Sequence, residues 1–165
     1  MVGRARAALV LSLAIAAAHA NSRAEEDVQT HILLLRQRCG AGLKAGKRVR
    51  FLFHMRGGVR EALALGIGAS GPQLEIQGNK LDVAWRQLSE DEQLELLRGT
   101  VEASDVEGLF AVAVVARSQG LYELAVKCEQ QVLELDSAFR PRVKGLQEQL
   151  PELPPAPLRS AAETS

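Results

Sequence analysis

Aromatic side chains are scarce in this 165-residue chain: one Trp, one Tyr and four Phe amount to 4% of it. A surface that stacks successive nucleic-acid bases needs more of them. An excess charge of either sign is also missing, because 20 Lys+Arg balance 20 Asp+Glu. That balance excludes the large basic surplus of a dedicated nucleic-acid binder. Two cysteines, Cys39 and Cys128, are too few for a disulfide-dense scaffold, and their separation excludes a C-x-x-C redox pair. His31 and His54 fall on different predicted elements without the spacing of a zinc site, so no metal is expected. Gly40-Ala41-Gly42 and Gly66-Ile67-Gly68 lack the longer frames that cradle phosphates. No cofactor is expected.

What the chain does contain is ordinary globular material, 47% hydrophobic and 24% charged. Its N-terminus carries an address. Arg4 and Arg6 precede an apolar run from Ala7 to Ala18, and Ala18-His19-Ala20 places small residues at both positions read by a signal peptidase. The pattern predicts a secretory signal over residues 1–20, cut after Ala20, and a secreted, periplasmic or cell-envelope location. Twelve apolar residues make a helix of only about 18 Å, against a hydrocarbon core of about 30 Å. Stable membrane insertion is therefore not expected. Loss of Arg4 and Arg6 leaves 18 basic and 20 acidic residues, a mature charge of −2. Export exposes Cys39 and Cys128 to an oxidising compartment, where a disulfide between them is expected in preference to two buried thiols.

The mature chain divides into four parts, and its fold class is α+β. Residues 21–47 hold an amphipathic helix over 25–39, with Val28, Ile32, Leu35 and Cys39 on one face, stopped by Gly40 and followed by a connector to Lys47. Residues 48–88 alternate in hydropathy and are punctuated by Arg56-Gly57-Gly58, Ser70-Gly71-Pro72 and Gly78-Asn79. Four short strands in an antiparallel meander follow from that pattern, the last through Leu81, Val83 and Trp85. Residues 89–150 return to a helical period. Ser89/Glu92 and Ser104/Glu107 read as capping boxes, and Gly120 separates two helices. A further helix runs from about Pro141 to Gln149. Prolines 151, 154, 155 and 157 mark residues 151–165 as a disordered tail. The predicted core comprises Val49, Phe51, Phe53, Leu63, Leu65, Ile76, Val83, Trp85, Leu109, Val112, Leu124 and Val132.

Within the helical part, Gly120-Leu121-Tyr122, Ala125 and the run Val132-Leu133-Glu134-Leu135-Asp136 resemble one tetratricopeptide (TPR) repeat over residues 106–137. Leu109, Val112 and Ala113 fall on its first-helix packing positions; Ala116, Glu129 and Ser137 depart from its pattern. The resemblance implies a helical hairpin, packed on the meander or on a partner, and binding of proteins or peptides. Residues 48–86 are similar in length and turn spacing to small SH3-like or Sm-like β modules.

Candidate chemistry is thin. A nucleophile–base arrangement would have to use Cys128 with His54, and an acid pair would come from Glu90, Asp91, Glu92 and Glu95, which otherwise suit the first turn of a helix. Charge is polarised along the chain. Arg36, Arg38, Lys44, Lys47, Arg48, Arg50, Arg56 and Arg60 meet no acidic residue between Arg36 and Arg60, whereas seven acidic residues between Ser89 and Glu107 meet only Arg98. Such segments either face each other inside the fold or leave a basic strand face, Arg48, Arg50, Arg56 and Arg60, for an anionic surface. The expected function is a non-catalytic exported binding or scaffold protein. Its partner would be a protein or an anionic envelope component, met on that strand face or in a groove between helices 105–118 and 121–135. The alternative is a small secreted hydrolase or redox enzyme.

Overall fold

The computed structural model describes residues 27–151, so the expected signal over 1–20 and nearly all of the tail, 152–165, lie outside the described residues. The first helix, α1, covers residues 27–44. Four strands follow: β1 (Val49–Met55), β2 (Gly58–Ile67), β3 (Pro72–Ile76) and β4 (Asn79–Asp82). A 3-10 turn at Trp85–Gln87 leads into α2 (Glu90–Arg98), α3 (Val106–Ser118) and α4 (Tyr122–Leu135), and a second at Ser137–Phe139 leads into α5 (Arg140–Gln149). The strands form one antiparallel sheet in the order β1-β2-β3-β4, the meander that the alternating pattern requires.

α1 does not stop at Gly40. Leu35, Cys39 and Leu43 recur every four residues and are all buried, and burial of this face outweighs the roughly 1 kcal/mol that a glycine costs in a helix interior. The stop is Gly46, at φ +99°. Its N–H donates to the Leu43 carbonyl (3.1 Å) and that of Lys47 to Gly42 (3.0 Å), the paired bonds of a Schellman end. The expected connector over 40–47 is therefore mostly helix.

On β1, Val49, Phe51 and Phe53 face the core, while Met55 at the strand end is exposed. On β2 the core face is Ala62 and Ala64, both fully buried, and the expected Leu63 and Leu65 are only half-buried. Pairing accounts for this. Phe51 stands opposite Ala62 and Val49 opposite Ala64, so small side chains lie beside large ones and leave room for the helices above. A bulge between Ala64 and Gly66 then shifts the register. It brings Ile67 back to the core side, opposite buried Pro72. The last hairpin turns one residue earlier than expected: Ile76 pairs with Asn79, and Gln77 and Gly78 take positive φ (51° and 80°), as a type I′ turn demands. Trp85 begins the 3-10 turn rather than ending a strand and is only partly buried.

α2 opens with the expected Ser89/Glu92 capping box. α3 is capped instead by Asp105, whose carboxylate accepts from the Gly108 N–H; Glu107 pairs outward with Arg142. α2 packs on β1, α3 on α2, and α4 along α3. α1 joins the sheet to the helical hairpin. Its Gly40 faces Ile67 of β2, Arg36 lies over the Trp85 ring at 4.4 Å, and the His31 ring meets Phe110 of α3 edge-on. Fully buried Leu35 lies on the side of α1 that makes these contacts, whereas Leu33 is 62% exposed. Leu35→Ala is expected to cost about 2–5 kcal/mol and Leu33→Ala less than about 0.5 kcal/mol, measured by denaturant unfolding.

Candidate functional site

The four arginines expected to form a basic strand face differ in their surroundings. Arg50 is paired with Glu61 across the β1–β2 ladder at 2.6 Å. Arg48 donates to the carbonyls of Leu43 (3.3 Å) and Lys47 (2.7 Å) at the end of α1. Arg56 sits in the hairpin turn, and Arg60 donates to the Val59 carbonyl (3.0 Å). Glu61 and Glu75 line the same shallow depression as Arg50 and Arg60, so the local charge is mixed. Much of the rest of the basic segment is matched inside the fold by the acidic one. Arg38 pairs with Asp105, Lys47 with Glu102 at 2.5 Å, and His54 with Glu92 at 2.9 Å.

Cys39 and Cys128 are both free and buried, so the expected disulfide is absent. Cys39 contacts Thr100, and burial pushes its thiol up from the ordinary range. Cys128 faces a small cavity shared with Arg98, Leu109, Leu124 and Gln131; burial likewise raises its thiol, against the pull of Arg98 and Lys127. Raised thiols are poor nucleophiles. His54 is not beside Cys128. It is bound to Glu92 in the first turn of α2, whereas Cys128 lies near Arg98 in the last, about 9 Å further along the axis at 1.5 Å per residue.

Among the acidic residues of the α2 entry, Glu92 is the structured one. It is buried and accepts the backbone N–H groups of Ser89 (2.7 Å) and His54 (2.7 Å), with His54 Nδ1 at 2.9 Å. Burial alone would raise its pKa, but these hydrogen bonds outweigh it and hold the carboxyl below the ordinary glutamate value. A carboxylate held ionised by hydrogen bonds between β1 and α2 serves the fold. Among the described residues no three His, Cys, Asp or Glu side chains gather as metal ligands would.

A cavity larger than the one at Cys128 lies elsewhere. A groove of about 630 Å³ runs between α2 and the start of α4, lined by Asp91, Leu94, Glu95 and Arg98 on one wall and by Gly120, Leu121, Tyr122, Glu123 and Leu124 on the other. The α2 residues stand at i, i+3, i+4 and i+7, one stripe of a helix. Leu94 is buried, Leu121 and Leu124 are half-buried, and Asp91, Glu95, Arg98 and Glu123 are exposed. The floor is thus apolar, under a rim of three carboxylates and one guanidinium. The groove expected between α3 and α4 corresponds instead to the smaller cavity at Cys128, where Leu109 and Val112 of α3 meet Leu124 and Gln131 of α4. The signal for it lay in that stripe, and in Leu121 and Leu124 as apolar residues left over once Ala125, Cys128 and Val132 had filled the inner face of α4.

Sequence reasoning also missed a polar centre. Glu129, only 3% exposed, accepts from Arg117 Nε (2.5 Å) and Nη2 (3.1 Å) and from Gln147 Nε2 (2.7 Å). Arg117 Nη1 also donates to the Leu150 carbonyl at 3.1 Å. Because Glu92 is held below its usual value, the stability it contributes is present above the ordinary pKa near 4.5 and is lost as pH falls through the depressed one. Chemical unfolding between about pH 5 and pH 3 should show a shallower loss of stability in Glu92→Gln than in the unaltered chain. No protein-family model, no curated protein and no solved structure is matched by this chain.

Proposed function

We propose that this is an exported, non-catalytic binding protein whose site is the α2–α4 groove, where it takes a segment of a protein partner. The observation that carries the reading is the groove itself: an apolar floor of Leu94, Leu121 and Leu124 between two helices, ringed by charge. Sites that accept a peptide or helix combine an apolar trough with a few polar groups that set orientation. The helical pair Val106–Ser118 and Tyr122–Leu135, with its resemblance to a TPR unit, supports a protein rather than a small metabolite as the partner. Export is supported by the basic, apolar and small-residue succession over residues 1–20. A protein partner is preferred to an anionic surface because carboxylates interleave with Arg50 and Arg60 on the strand side.

Charge reversal on the rim tests the reading without disturbing the core, since Glu95 and Glu123 are exposed. The mature chain and its Glu95→Lys/Glu123→Lys variant would each be used to capture partners from a culture-medium or envelope extract. A partner retained by the unaltered chain should bind the variant at least about tenfold more weakly. Equal retention by both, or retention lost only when Arg48, Arg50, Arg56 and Arg60 are replaced, would move the site away from the groove.

A further inference from the structure

We infer that the partner segment taken by the α2–α4 groove is an amphipathic helix, acidic in its first turn and basic in its last, lying antiparallel to α2. This rests on the reading of the groove as the binding site and names the chemistry of its occupant. The groove is longer than its main cavity. The cavity at Cys128 shares Arg98 and Leu124 with it, so the two form one trough along the seam between α2 and α4. At one end Asp91 and Glu95 stand with Tyr122 and Glu123; at the other, Arg98 and Gly99 stand with Lys127 and Gln131. The floor is apolar throughout, from Leu94 and Leu121 through Leu124 to Leu109 and Val112.

The charges of the rim are ordered along this trough. Asp91, Glu95 and Glu123 are exposed carboxylates at one end, and Arg98 and Lys127 are exposed cations at the other. Among the described residues none of these charges is in an ion pair, whereas Arg38, Lys47, Arg50, Arg117 and Arg142 each are. Unpaired charge in a fixed order selects a segment carrying the opposite order. A uniformly charged polymer would meet repulsion at one end. Asp91 and Arg98 lie about 10 Å apart along the axis at 1.5 Å per residue, the separation of i and i+7 on a helix laid beside them. A helix's own dipole favours carboxylates in its first turn and cations in its last; α2 itself follows this order. Such a helix complements the rim only when it runs opposite to α2. Its last turn then lies by Asp91, Glu95 and Glu123, and its first turn by Arg98 and Lys127. Apolar side chains at i, i+3, i+4 and i+7 form the single stripe that the leucine floor requires.

The probe is an amidated synthetic peptide of about fourteen residues, long enough to form a helix. It carries leucines at i, i+3, i+4 and i+7, glutamates in its first turn and lysines in its last. Two companion peptides carry lysines at both ends or glutamates at both. In calorimetric titrations of the full chain, the ordered peptide should bind at least about tenfold more tightly than either companion. The advantage should shrink in about 1 M salt, where the Debye length falls to about 3 Å. A nitroxide on the peptide's last residue should broaden the NMR signals of Tyr122, the single tyrosine of the chain. A nitroxide on its first residue should broaden those of Gln131 instead. In the Glu95→Lys/Arg98→Glu/Glu123→Lys/Lys127→Glu variant the two patterns should exchange. An ordered peptide that does not bind, companions that bind as tightly, or broadening that is the same from either label would each overturn the inference. The reading of the groove as the site is decided apart from this, by partner capture with the rim variant, which uses none of these peptides.

Discussion

Two charges buried side by side constrain the helical half of the molecule. Arg117 and Glu129 are 6% and 3% exposed, and burying an ion costs several kcal/mol unless it is paired and its remaining valences are met. Arg117 satisfies Glu129 from α3, Gln147 does so from α5, and Arg117 reaches on to the Leu150 carbonyl. Three helices and the chain exit must therefore come together at one point. Any sliding of α4 along α3 would strand a carboxylate among Leu, Val and Ala side chains. The first turn of α4, which walls the groove, is positioned by the same constraint.

The sheet half is joined to this through α1 and α2. Arg38–Asp105, Lys47–Glu102 and His54–Glu92 each tie an early basic or neutral side chain to the acidic helical entry. Glu92 is the most buried of these carboxylates; it closes its own helix cap and holds the end of β1 at once. The polarised charge of the sequence thus works largely within the fold, while α1 fills the space between sheet and hairpin with Leu35, Cys39 and Leu43.

Periodicity made much of this legible. The meander, the Ser89 cap, the break at Gly120 and the helix opening at Pro141 all follow from local patterns whose physics is local. Where tertiary packing decides, the sequence misleads. Gly40 looks like a helix stop, yet the helix runs on because Leu43 is worth burying. Leu63 and Leu65 look like core, yet Ala62 and Ala64 take that face because Phe51 and Val49 stand beside them and a bulge follows. The site was partly legible. Cys128 was rightly placed on the inner face of α4, but the two cysteines expected to pair are each free and buried. Arg117 and Glu129 come from two helices and find each other only once the hairpin is folded. Asp91, Glu95 and Arg98 read as ordinary helix charges until α4 supplies the opposite wall.

A double-mutant cycle across the buried pair tests the central constraint most directly. Equilibrium unfolding would be measured for Arg117→Met, Glu129→Leu and the two together. Each single change leaves one charge buried without its partner and should cost about 3–5 kcal/mol. The double change removes both charges and should cost at least about 2 kcal/mol less than the sum of the singles. Costs that add within about 0.5 kcal/mol would show that the pair is not coupled, and that the hairpin and α5 are held together by apolar packing alone.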